Sequence, residues 1–257
     1  MKKYLAFVKV AILEQGQKIV DGLGTIFSFC VHIVIFSFLW DFVLEGKTMS
    51  GYSRQELVWY VIMAEAIMYS FHHYYRKVAN KVEMGDFAYD MTKPFNFLVR
   101  VIVEGLAELP MTVAMLIAGG ILGCIFVGAI PFTIAQVLGS LLMMLLATLL
   151  LLIFNITVGL LSIWLGRDVS SVWLLFSKAM LIFAFTPIEL FPNIVQKFLL
   201  LLPTTHVIYT PASLFVHFST DKFIVSSIYM LASFGVIAIL LGIIYKKGVK
   251  KQNVNGI

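Results

Sequence analysis

The chain holds 257 residues; 60% are apolar or aromatic, 13% are charged, and 19 basic side chains against 14 acidic ones give a formal net charge of +5. With a mean hydropathy of +0.95, it lies outside the range of soluble domains, which carry about 45–50% apolar and about 25% charged residues. A water-soluble fold is excluded, because its surface would display more apolar area than water tolerates; this is an integral membrane protein.

In chain order, residues 1–20 open with Met1-Lys2-Lys3 and continue as a mixed segment. With neither a long apolar core nor a small-residue cleavage site, no secretory signal is expected there. Leu5, Val8, Ile12 and Ile19 recur at roughly helical spacing, with Lys9, Glu14, Gln15 and Lys18 between them. That pattern predicts an N-terminal amphipathic interfacial helix lying along the membrane. Apolar runs follow near 23–44, 57–75, 102–127, 133–165, 170–188 and 222–245. A bilayer core about 30 Å thick needs about 20 helical residues. The expected fold is an all-α integral membrane protein with six transmembrane helices in a single transmembrane domain, 1–257.

Basic residues set the orientation. With a cytoplasmic N-terminus, the inner segments hold 14 lysines and arginines and the outer segments hold 4 (Lys47, Arg54, Lys197 and Lys222), with Lys178 left inside a span. The positive-inside rule then puts both termini in the cytoplasm, as expected of a multi-pass protein of the inner (cytoplasmic) membrane in contact with its lipid. The same sorting accounts for the excess positive charge, so no nucleic-acid partner is expected.

Two connections carry most of the signal. Between spans two and three, residues 76–100 contain Gly85-Asp86-Phe87-Ala88-Tyr89-Asp90-Met91-Thr92-Lys93-Pro94. Gly85 breaks the segment, Asp86 is placed to cap a short helix, and Pro94 ends it. Val82, Phe87, Tyr89, Met91 and Phe95 suit either a docking knob for a soluble partner or a helix resting on the inner leaflet. Between spans five and six, residues 186–211 are punctuated by Pro187, Pro192, Pro203 and Pro211. They predict an external or re-entrant helical hairpin, whose broken backbone survives only where protein or water satisfies it. Pro187, Glu189, Phe191, Pro192 and Pro203 are its candidate gate residues.

Ionisable groups inside a span cost at least about 2.5–3.5 kcal/mol at the bilayer centre and are functional candidates for that reason. Glu65 in the second span and Lys178 in the fifth lie at comparable depth and are expected either to pair or to face a polar cavity. Glu104 and Glu108 stand one turn apart near the inner end of the third span, where they can attract a cation or bind Arg100 and other basic groups at the inner surface. Asn155 and Thr157 are expected to bond between helices or to backbone, and Gly119, Gly120 and Gly123 to permit close helix contact. Cys30 and Cys124 are expected to be small buried hydrophobes. His72-His73 is adjacent rather than spaced for one helix face, and no metal site is expected. GxxxxGK[ST], HExxH and GxSxG are absent, so energy or covalent chemistry has to come from another chain.

With these residues in place, the chain resembles the membrane (permease) subunit of type-2 ATP-binding-cassette exporters, in the branch of small six-span permeases. The Gly85-to-Pro94 stretch is similar to that branch's glycine-to-basic-proline signature. Pro187-Ile188-Glu189-Leu190-Phe191-Pro192, followed by Leu202-Pro203 and Pro211, carries the rest, together with Gly51-Tyr52-Ser53 and Tyr60. The resemblance covers nearly the whole chain in span order. Where the family often has a glycine-containing turn before the external proline, this chain has Ala184-Phe185-Thr186.

The resemblance implies that residues 76–100 contain a cytoplasmic coupling helix, with Gly85, Asp86, Phe87, Tyr89, Asp90, Lys93 and Pro94 engaging a cleft on a separate ABC ATPase subunit. It implies a dimer with a second permease copy, identical or a sister chain, with spans one and five at the interface. The chain itself would be no enzyme and hold no cofactor; ATP and magnesium would sit on the partner ATPase. A mostly apolar lining would suit a hydrophobic or amphipathic substrate. The alternative is a stand-alone secondary carrier or an intramembrane enzyme, the carrier drawing on an ion gradient through Glu65, Lys178 or Glu104.

Overall fold

The computed structural model describes residues 9–11, 13, 19–70, 74–165 and 169–254. Most of the expected interfacial helix over 1–20 lies outside these residues, as do His72-His73; residues 9–11 and 13 are helical. The described chain is all-helical, without a strand: α1 (Ile19–Leu44), α2 (Arg54–Tyr69), α3 (Tyr74–Glu83), α4 (Asp86–Met91), α5 (Phe97–Leu106), α6 (Leu109–Phe126), α7 (Ile134–Leu160), α8 (Ser162–Leu165), α9 (Val169–Phe185), a 3-10 turn (Ile188–Leu190), α10 (Asn193–Leu199), α11 (Pro203–Val216) and α12 (Thr220–Val254).

Local sequence explains where several helices begin. Ser53 caps α2 by accepting from the Glu56 amide while the Glu56 carboxylate accepts from the Ser53 amide, and Thr133 and Gln136 do the same for α7. Each such capping box satisfies two amides that would otherwise lack partners. Asn96 caps α5 by accepting from the Leu98 and Val99 amides.

By length and composition, four stretches can cross a membrane: Gly22–Leu44, Phe97–Phe126, Ile134–Leu165 and Thr220–Lys251. The pair α10 and α11, bent by 110°, would make a fifth. The spans expected at 57–75 and 170–188 are shorter helices, 16 residues in α2 and 17 in α9. This measure therefore supports four or five crossing elements, and a count of six is not reached by it. The apolar run at 57–75 is interrupted because α2 stops at Ser70, which has extended backbone (φ −63°, ψ 132°). The third span starts earlier than expected, at Phe97, and the sixth continues well beyond 245.

At the centre stand α2 and α11. Every residue of α2 from Leu57 to Ile67 is buried, and so is every residue of α11 from Thr205 to Val216. α11 packs against α2, α7, α9 and α12. Around them α1, α6 and α12 turn apolar faces outward, with Phe27, Phe42, Ile121, Ile125 and Ile239 exposed. That surface is what a hydrocarbon solvent would cover.

Close approach of α6 to α2 depends on Gly119 and Gly123, since a Cβ at either would come within 2.8 Å of Ile62. Gly120, expected to do the same, faces open space. Cys124 is likewise exposed rather than buried, and Cys30 is only partly covered. An apolar neighbourhood in the sequence does not mean burial when the outer face of the helix meets lipid.

Candidate functional site

The 76–100 connection is built around a left-handed turn. Gly85, at φ +82°, joins α3 to α4 and occupies the N-cap position; a side chain there would be strained. Asp86 is therefore the first helical residue rather than the cap, and its charge sits at the favourable positive end of the helix. Phe87 is fully buried, edge-on to Phe97 at 4.8 Å and to Tyr245 at 6.1 Å. Asp86 faces out, and Tyr89 is 62% exposed with Lys93 Nζ 3.9 Å from its ring centroid. The helix ends at Met91, and Pro94 lies exposed in the turn that follows.

Asp90 points the other way. It is 2% exposed and accepts from Arg100 Nη1 at 2.5 Å, with Lys93 Nζ at 3.9 Å. Arg100 Nε donates to Glu104 Oε1 at 2.7 Å, and Lys81 Nζ donates to Glu104 Oε2 at 2.5 Å. The relay Asp90–Arg100–Glu104–Lys81 thus fastens α4 to α5 and α5 to α3. α3 is in turn seated on α7: the Tyr75 amide donates to Asn155 Oδ1 at 3.2 Å, and Val78 lies over Gly159. The segment presents Asp86 and Tyr89 outward from a base held by Phe87 and Asp90. Sequence reasoning expected Glu104 to bind Arg100 and Asn155 to bond between elements, and both contacts form. Lys81 falls among the other basic groups expected at Glu104 without having been singled out, and the bridging role of Arg100 was missed, although the i, i+4 spacing of Arg100 and Glu104 was a visible cue.

Glu65 is fully buried, and its Oε1 lies 3.2 Å from His32 Nδ1, which is also 3.0 Å from the Tyr69 hydroxyl. It therefore faces α1 and not α9. The expected Glu65–Lys178 pair is not formed; Lys178 is exposed on α9. Glu108 stands at the break between α5 and α6, as the N-cap residue of α6. Thr157 Oγ1 donates to the Ile153 carbonyl at 2.8 Å. Among the described residues, no cluster of His, Cys, Asp and Glu is arranged to hold a metal ion.

Residues 27–256 match the family described as ABC-2 family transporter protein. The chain belongs to that family. No curated protein matches it. As an ABC-2 family member it is the membrane component, the permease subunit, of an ABC transporter, a class that pairs with an ABC ATPase.

In this ABC-2 permease the proline-rich connection holds two helices, α10 and α11, bent by 110° to one another, and the second lies inside the bundle. Pro187 and Pro192 precede the 3-10 turn and α10, and Pro203 is the first residue of α11. α11 runs to Val216 rather than ending near 211, and it is buried, so it is no cover resting on the surface. Its bent junction is satisfied by protein. Thr205 Oγ1 donates to the Leu199 carbonyl at 2.7 Å, and His206 Nε2 donates to the Leu200 carbonyl at 2.8 Å. Phe191 closes the 3-10 turn through its amide, and Pro192 is exposed.

Glu189 ties this connection to its neighbours. Its Oε1 accepts from the Tyr209 hydroxyl at 2.6 Å and from Lys222 Nζ at 3.2 Å. Burial alone would raise its pKa, but Lys222 and the Tyr209 hydroxyl outweigh that and hold the carboxyl below its ordinary 4.5. A depressed carboxyl contributes stability above its unfolded pKa and loses it as pH falls through the folded value. Glu189→Gln should accordingly melt below the wild type at neutral pH, with the gap closing as pH drops below about 4.5. Thermal melts of both proteins in detergent across that range check this; a gap independent of pH would refute it.

Proposed function

We propose that this chain is the permease half of an ATP-driven exporter, moving a hydrophobic or amphipathic substrate outward across the cytoplasmic membrane. A second permease copy completes the pathway, and a separate ATPase subunit binds ATP and magnesium. The observation that carries the reading is the construction of α4, a short helix anchored by Phe87 and Asp90 that offers Asp86 and Tyr89 to a partner. Closure of the ATPase would push on α4. The push would pass through Arg100 and Glu104 to α5 and α3, and from α3 to α7, shifting the bundle between inward-open and outward-open arrangements. A gradient-driven carrier is the second reading, favoured by the Glu65–His32 pair; membership of the ABC-2 family weighs against it.

The test is co-purification. Expressed with its neighbouring open reading frames, the tagged permease should bring down a Walker-motif ATPase. Asp86→Arg and Tyr89→Ala, both at exposed positions, should each weaken that association or the permease-stimulated hydrolysis about tenfold, the scale of a single interface anchor. Unchanged association and hydrolysis in both variants would remove the coupling role from α4.

A further inference from the structure

The final helix is longer than a crossing requires. α12 runs from Thr220 to Val254, and its uncharged stretch Phe223–Tyr245 covers about 34 Å at about 1.5 Å per residue, close to one bilayer core. Lys246 therefore emerges at the edge of the hydrocarbon. Lys246 and Lys250 stand one turn apart and, with Met91, Phe95, Tyr245 and Val249, line a groove of about 680 Å³ between the end of α4 and α12. Both lysines are exposed, and neither has an acidic partner among the described residues. Neighbouring Lys251 is engaged elsewhere, donating to the Ile163 carbonyl at 2.8 Å.

We propose that this groove seats an anionic phospholipid of the inner leaflet, its phosphate between Lys246 and Lys250 and an acyl chain along Met91, Phe95 and Val249. The leaflet assignment rests on the orientation adopted for the exporter. Charge complementarity selects an anionic headgroup, since lysines beside a bilayer surface attract acidic lipid and basic pockets at helix ends bind such headgroups. The apolar floor selects a lipid over an acidic protein segment. Toward the bilayer, on the side of α12 that Lys246 and Lys250 share by helical spacing, Ile243 and Ile239 are exposed, a lane suited to an acyl chain. The occupant would buttress the Phe87–Phe97–Tyr245 cluster on which α4 rests, so the charge of the leaflet would bear on the position of the coupling helix.

The experiment uses the purified full-length permease without any ATPase, so its outcome is independent of the transport reading. Native mass spectrometry after mixing with equal phosphatidylglycerol and phosphatidylcholine should show retention of phosphatidylglycerol over phosphatidylcholine by about tenfold. Lys246→Gln/Lys250→Gln should abolish that preference, and Lys197→Gln, a basic residue of α10, should keep it. Added inorganic phosphate should not displace the lipid. The proposal is overturned if the wild type shows no preference, if the double variant retains it, or if inorganic phosphate competes at equal concentration, which would make the occupant a free anion. In a separate co-purification with the ATPase, a double variant that keeps its lipid preference but loses the ATPase would also overturn it, because the groove would then be a protein-docking surface. Labelling of Lys246→Cys from outside the cell would overturn the inner-leaflet assignment, and with it the proposal as stated.

Discussion

Arg100→Met should be among the most damaging single substitutions in this permease, lowering stability by about 3–5 kcal/mol and uncoupling whatever engages α4. The loss comes from what remains behind. Asp90 is 2% exposed, and without the guanidinium its nearest cation is Lys93 at 3.9 Å. Glu104 keeps Lys81 but loses its second partner. A buried carboxylate deprived of its counter-ion costs more than the pair ever contributed, because its desolvation is no longer compensated. Adding Asp90→Asn to Arg100→Met should recover part of the loss, since the double variant buries no orphaned charge at that point, and the two single effects should fail to add. Melting in detergent reads the stability, and permease-stimulated ATP hydrolysis reads the coupling. An Arg100→Met protein as stable as the wild type would show that the relay does not hold α4 in place.

The second large effect should come from Gly159→Leu. A Cβ at Gly159 would stand 2.6 Å from Val78 Cβ and 2.7 Å from the Tyr75 carbonyl oxygen. The carbonyl belongs to the backbone of α3 and cannot rotate away. α3 would have to lift off α7, stretching the bond between the Tyr75 amide and Asn155. Overpacking of this kind costs about 1–3 kcal/mol, and a buried hydrogen bond adds about 1 kcal/mol more. Gly120→Leu is the contrast: nothing lies within 4 Å of its missing Cβ, and the change should leave the melting temperature nearly where it was. Equal melting shifts in the two variants would refute the claim that α3 is seated through Gly159.

Much of the architecture is written locally. The prolines at 187, 192 and 203 mark helix boundaries that the structure reproduces, and the Ser53–Glu56 and Thr133–Gln136 capping boxes were local cues to helix starts that went unused. Gly85 was legible as a break because a left-handed turn favours a residue without a Cβ. Less legible was anything that depends on which helices become neighbours. Glu65 was matched by depth with Lys178, yet its partner is His32, brought beside it by the packing of α1 on α2. Apolar runs also overstate helical continuity. The run at 57–75 reads as one span although the helix ends at Tyr69, where Ser70 turns its hydroxyl to the Ala66 carbonyl and to Thr112. The relay through Arg100 was half visible, since one of its links lies within a single helix and the others join separate elements.

The buried position of α11 has a consequence for how a solute could travel. α11 enters by a 110° bend and fills the middle of the bundle, with helices packed around it. A subunit whose own axis is occupied has no bore to open. Under the two-copy arrangement proposed above, a traveller would use the perimeter, along a seam with the second copy, and widening that seam would disturb the packing of α11 on α2 and α7.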